Sequence, residues 1–279
     1  MLTFSYPLLL DGATGTALQK AGMPTGVCTE QWVLDHPQPL IALQRAYVAA
    51  GSKVVYAPTF GANRALLRRY RIDADAASYV RRLVALSREA VGGRAIIAGD
   101  MTTTGSSFTD EAEEALDIYR EQVQALRDAG VALTVGETML SLAEGRACLR
   151  AIKEAGMTAF ISFTVDRKGR TLAGEPVLHC LQEMEAGGAD AVGINCASGI
   201  DRLLPLLTEA VPLLHTPVLV KASATRYRDG QAIGTLPPAE YAGHIRRLRE
   251  AGVSVFGGCC GTTPAYIAAM RAVLDEKKP

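Results

Sequence analysis

The segment "VFGGCCGTTPAYI", from Val255 to Ile267, places two thiols side by side between glycines at the end of an apolar run. Adjacent strand residues point to opposite faces. Cys259 and Cys260 therefore serve one centre only where the backbone leaves regular strand geometry, a freedom that Gly257, Gly258 and Gly261 supply. A third thiol, Cys196, closes another apolar run in "AVGINCA". Three cysteines of this kind suit zinc, although a redox thiol pair or glycine-flanked buried cysteines stay open as alternatives, because the spacing is not C-x-x-C. Three thiolates on a divalent ion leave a formal negative charge. Such a centre polarises a carbonyl poorly and suits a fourth thiolate, so the chemistry implied is attack by a substrate sulfur on an electrophilic carbon.

Bringing these residues together requires a fold in which apolar runs converge. Eight short runs recur along the chain: "PLLLDG" from Pro7, "KVVYAPTF" from Lys53, "AIIAGDMT" from Ala95, "ALTVGET" from Ala132, "TAFISFTV" from Thr158, "AVGINCA" from Ala191, "PVLVKAS" from Pro217 and "VSVFGGCC" from Val253. Between them lie segments such as "EEALDIYREQVQALRDAG", apolar at helical spacing and stopped by glycine. Near-continuous apolar strands alternating with helices predict an α/β fold, a single (β/α)8 TIM barrel. No linker or low-complexity tract interrupts the series, so residues 1–279 are expected to form one domain.

Active sites of this fold form at the C-terminal ends of the strands. The polar residues there are Asp11, Tyr56 to Thr59, Asp100 to Thr104, Glu137, Asp166, Cys196, Ser223 and the Cys259/Cys260 pair. Cys196 ends the sixth strand and the pair ends the eighth, a gap of about two 5 Å strand spacings that side chains can bridge to a metal. Cys28, Cys148 and Cys180 fall in a loop or helices and are expected to pack, and His36, His179, His215 and His244 lie away from the strand ends. No fourth protein ligand is evident, which leaves the open position of a catalytic zinc.

Lys plus Arg and Asp plus Glu each number 29. That balance gives no electrostatic reason to expect a nucleic acid or an anionic membrane as partner. The N-terminus lacks a positively charged n-region and no apolar run is long enough to span a bilayer, so a cytoplasmic protein is expected.

The stretches "DGATGTALQKAG" at Asp11, "APTFGANR" at Ala57, "GET" at Gly136, "GINCASG" at Gly193 and "GGCCGTTP" at Gly257 resemble, in order and spacing, the homocysteine S-methyltransferase family. The likeness spans essentially the whole chain and is strongest to the homocysteine-binding barrel of cobalamin-dependent synthases. It implies a methyltransferase of methionine biosynthesis in which Cys196, Cys259 and Cys260 bind zinc and homocysteine thiolate takes the open position. It further implies that Asp11 and Glu137 hold the substrate ammonium and that the backbone of Gly12, Ala13 and Thr14 receives the substrate carboxylate. For Asp11 a cap or turn role, and for Glu137 a rim salt bridge with an arginine, are the alternatives. The methyl donor expected is a methylcorrinoid carried on a separate protein, with an onium donor such as S-methylmethionine or betaine, or a non-catalytic thiol-binding barrel, as alternatives. Ala57-Pro58, Met101 to Thr103 and Ser223 depart from the pattern of the cobalamin-dependent relatives beside the metal.

Overall fold

The computed structural model describes residues 2–73, 75–105, 112–197, 199–228 and 231–276. Each predicted run forms a strand: β1 (Leu8–Leu9), β2 (Val54–Tyr56), β3 (Ile96–Met101), β4 (Leu133–Met139), β5 (Thr158–Phe163), β6 (Ala191–Asn195) and β7 (Val218–Ala222). Two further strands, β8 (Thr225–Arg228) and β9 (Gln231–Thr235), make an antiparallel hairpin before the last barrel strand, β10 (Val255–Gly258). The hairpin was not among the predicted elements; its signal is the "RDGQ" between two short alternating runs.

The eight barrel strands pair in the order β1-β10-β7-β6-β5-β4-β3-β2, all parallel. The Lys53 amide donates to the Leu9 carbonyl at 2.8 Å and joins the two end strands into a nearly closed ring. Strand alternation then sends one set of side chains inward. Leu8, Leu10, Val54, Tyr56, Ala98, Leu133, Val135, Phe160, Ala191, Leu219 and Val255 form the barrel interior, and a larger apolar layer lies between strands and helices. Cys28, Cys148 and Cys180 sit in that outer layer, as expected. No helix among the described residues is long and apolar enough to cross a membrane.

Candidate metal centre

At the C-terminal end of β10 the chain turns sharply. The Cys259 amide still bonds the Ala222 carbonyl of β7 at 2.9 Å, but the Thr262 amide folds back to the Cys259 carbonyl at 3.1 Å, and Gly261 has φ +83°. A Cβ on Gly258 would lie 2.4 Å from Thr262 Oγ1, so glycine there permits the close return of the chain. This turn lets adjacent cysteines face one point. Across the mouth, Cys196 follows β6 with φ 55°, a left-handed conformation that non-glycine residues rarely adopt.

The three Sγ atoms lie within 4.8 Å of one another, the one such cluster of metal-binding side chains among the described residues. Cys196 and Cys260 are 3.7 Å apart, and Cys259 and Cys260 4.0 Å. Tetrahedral zinc with Zn–S of about 2.3 Å requires sulfurs about 3.8 Å apart. Two of the separations match that value and the third stays within 4.8 Å, so the donor set fits such an ion. Hydrogen bonds from the Cys196 and Cys259 thiols push the Cys260 thiol well down, and the same sharing pushes Cys259 up.

The cysteines form part of the wall of a cavity of about 340 Å³, whose other polar wall residues include Thr14, Glu30, Asp100, Glu137 and Lys221. Lys221 is one residue that sequence reasoning missed. It projects from β7 into the barrel, with Nζ 3.3 Å from Asp11 Oδ1, 3.8 Å from Glu137 Oε2 and 4.3 Å from the centroid of the Tyr56 ring. Its own burial disfavours the charge, but Glu137 and Asp11 outweigh that and push its pKa up. Burial pushes Asp11 and Glu137 up as well, and Lys221 offsets part of the shift in each. A lysine in the apolar run "PVLVKAS" was the available signal, since a buried ammonium demands a partner.

The predicted substrate residues divide accordingly. Glu137 lines the cavity, and its partner is the internal Lys221 rather than a rim arginine. Asp11 does not line it: only 1% exposed, it accepts the Tyr56 amide at 2.8 Å through Oδ2 and faces Lys221 through Oδ1, so it bridges the β1/β2 seam. Gly12 packs under Tyr47, whose hydroxyl would meet an added Cβ at 2.7 Å. The Ala13 amide, expected to receive a carboxylate, donates instead to Thr262 Oγ1 at 3.0 Å, although Ala13 and Thr14 both border the cavity.

Further polar residues hold the strand tips. Asn195 Oδ1 accepts the Thr138 amide at 2.8 Å and the Ser162 hydroxyl at 3.0 Å, and Asn195 Nδ2 donates to Thr138 Oγ1 at 2.7 Å. The residues after Glu137 and before Cys196 are thereby tied together. Ser223 donates to the Cys260 carbonyl at 3.1 Å, so this departure from the relatives' pattern supports the cysteine turn. Met101 is fully buried in the outer layer, whereas Ala57 and Pro58 line the cavity. Asp166 orders an exposed turn through the Lys168 and Arg170 amides and is not part of the cavity wall.

The fold and the site define a (β/α)8 barrel with a cysteine triad at its catalytic face. The family model for homocysteine S-methyltransferase matches residues 8–274, and the chain belongs to that family. It is 30% identical over 294 residues to a methionine synthase of Mycobacterium tuberculosis, covering 96% of this chain and 25% of that one. It is 29% identical over 293 residues to a methionine synthase of Mycobacterium leprae, covering 95% of this chain and 24% of the relative. The chain thus spans about a quarter of the length of these curated relatives. The metallated homocysteine methyltransferase MmuM of Escherichia coli superposes with a TM-score of 0.80 at 24% identity, covering 95% of each chain, and its apo form with 0.77. These two structures support the fold assignment.

Proposed function

We propose that the chain transfers a methyl group to the thiol of homocysteine, giving methionine, at zinc held by Cys196, Cys259 and Cys260. The observation that carries the reading is the spacing of three sulfurs, which suits tetrahedral zinc, in the wall of a cavity that also presents carboxylates. When bound, zinc supplies acidity to an incoming thiol, so that the sulfur reacts as thiolate at neutral pH. The chain's own residues fix the geometry: Thr262 Oγ1 donates to the Cys259 carbonyl at 2.8 Å, Ser223 holds Cys260, and Asn195 holds the turn before Cys196. Glu137 faces the substrate ammonium from β4. In the transfer, the S–C bond forms as the bond from methyl to donor breaks, and that electron pair leaves with the donor. No acid or base at the methyl carbon is required.

The methyl donor in this reading is a methylcorrinoid on a separate protein, in keeping with the similarity to methionine synthases. Purified reduced protein should carry about one zinc per chain, and Cys196→Ser should lose tight binding while Cys148→Ser keeps it. Incubating the zinc-loaded protein and homocysteine with free or protein-bound methylcobalamin, S-methylmethionine, betaine or methyltetrahydrofolate and quantifying methionine identifies the donor. Absence of stoichiometric metal after zinc reconstitution, or of methionine with every donor including protein-bound methylcorrinoid, would overturn the function. Turnover with S-methylmethionine alone would reassign the donor only.

A further inference from the structure

Cys196 is presented by an unusual piece of backbone. Its amide ends the β6–β7 ladder on the Lys221 carbonyl at 3.0 Å, and the following amide, that of Ala197, folds back to the Asn195 carbonyl at 2.7 Å. With φ 55°, Cys196 is thus the central residue of a γ-turn of the positive-φ kind, the rare and strained form. A candidate metal ligand therefore depends on a conformation that the chain by itself disfavours. A second such residue lies across β5. Thr138, directly after Glu137, has φ 61° in the irregular step where β4 shifts register against β5 between Gly136 and Met139. Threonine is β-branched, and residues of that shape are outliers in the left-handed region.

Three non-glycine residues among those described have positive φ: Arg71, Thr138 and Cys196. One side chain serves the last two. Asn195, fully buried, precedes Cys196 and supplies the carbonyl that closes its γ-turn. Both ends of its amide are committed across β5: Oδ1 accepts the Thr138 amide at 2.8 Å and the Ser162 hydroxyl at 3.0 Å, and Nδ2 donates to Thr138 Oγ1 at 2.7 Å. The paired bonds grip Thr138 by amide and hydroxyl together. Closing the barrel does not require this strap, because β4, β5 and β6 are already joined by their own ladders. What it adds is a fixed relation between two strained strand tips.

Resting on the reading of the cysteine triad as a zinc site, we propose that Asn195 is the positioning residue of the metal centre. Its side chain holds the γ-turn that presents Cys196, and through Thr138 it makes ligation by Cys196 depend on the tip of β4. Without the strap the turn relaxes toward unstrained backbone, Cys196 withdraws, and Cys259 and Cys260 remain as the thiolate ligands.

The test reads metal binding and not turnover. Reduced apoprotein is titrated with cobalt(II), whose thiolate charge-transfer band reports how many sulfurs bind, and zinc affinity is measured by competition with a chelator. Asn195→Ala should weaken zinc by about ten- to a hundred-fold, the usual effect of losing a group that orients a metal ligand, and should lower the charge-transfer intensity toward that of Cys196→Ser. Thr138→Ala takes one bond from the strap and touches no ligand, so both readouts should move the same way by less. It also keeps the test decisive if Asn195→Ala does not fold. Ser52→Ala, which loses the bond from its buried hydroxyl to the Leu10 carbonyl ahead of β2, should lower the melting temperature and leave both readouts unchanged. Wild-type affinity and intensity in Asn195→Ala, or an equal loss in Ser52→Ala, overturn the assignment while the proposed function stands. An effect of Asn195→Ala with none from Thr138→Ala overturns the link to β4. Failure of the wild-type protein to take up stoichiometric metal would instead refute the proposed function, and this assignment with it.

Discussion

Replacing Lys221 with methionine keeps most of the apolar stem and deletes the cation that lines the cavity. Its charge lies 3.3 Å from Asp11 and 3.8 Å from Glu137, attractions worth about 5 and 4 kcal/mol at an effective dielectric of about 20. Against these stands the cost of desolvating the ammonium, several kcal/mol, which the variant no longer bears. The net loss should be about 3–5 kcal/mol, the usual result of leaving a buried charge without its partner. Both carboxyls already have raised pKa values from burial, and removing Lys221 raises them further. An acid whose folded pKa lies above its unfolded value favours folding fully below the unfolded pKa and loses that contribution as pH rises through the folded one. The deficit of Lys221→Met relative to wild type should therefore be larger at pH 8 than at pH 5. Urea titrations at both values measure it, with zinc content as the control for the cysteine turn. Combining Lys221→Met with Asp11→Asn should recover part of the loss, with a coupling of roughly 0.5–3 kcal/mol. A single-variant deficit below about 1 kcal/mol, or one equal at both pH values, would refute the internal ion pair as the reason for this lysine.

Two substitutions test the frame around the site. A Cβ at Gly193 would lie 1.9 Å from the Leu219 carbonyl oxygen, a backbone atom that cannot yield cheaply, so Gly193→Ala should destabilise by about 1–3 kcal/mol or more in denaturant unfolding; a neutral effect would mean that β6 and β7 are not packed at this distance. The Tyr47 hydroxyl donates to the Ala13 carbonyl at 2.7 Å beneath the cavity, and Tyr47→Phe leaves that carbonyl without its donor. The expected cost is about 1–3 kcal/mol, with weaker thiol binding as the loop loosens; unchanged stability would show that the bond contributes nothing net.

The barrel was legible because its strands are buried on both faces, so each of the eight predicted runs is apolar almost throughout and no alternation had to be parsed. The β8–β9 hairpin escaped because it belongs to no β/α repeat and its signal is purely local. The cysteine turn was legible for a different reason: three glycines around two thiols state in one short segment that the backbone must leave the strand. Asn195 and Thr262 were not, since their partners Thr138 and Ala13 are distant in the chain and nothing in "GIN" or "GTT" names them.

The acids at the strand tips mark the deepest limit of the sequence reading. Asp11, Asp100 and Glu137 each end an apolar run with a carboxylate, and the sequence does not show which of them meets a cation inside the barrel. Electrostatics in three dimensions separates them. Lys221 lies 3.3 Å from Asp11 and 3.8 Å from Glu137, while Asp11 Oδ1, Asp100 Oδ1 and Glu137 Oε2 are each buried without a hydrogen bond among the described residues. The charge environment of these acids is therefore set by where a lysine from β7 comes to rest, and so by the closure of the barrel rather than by any motif.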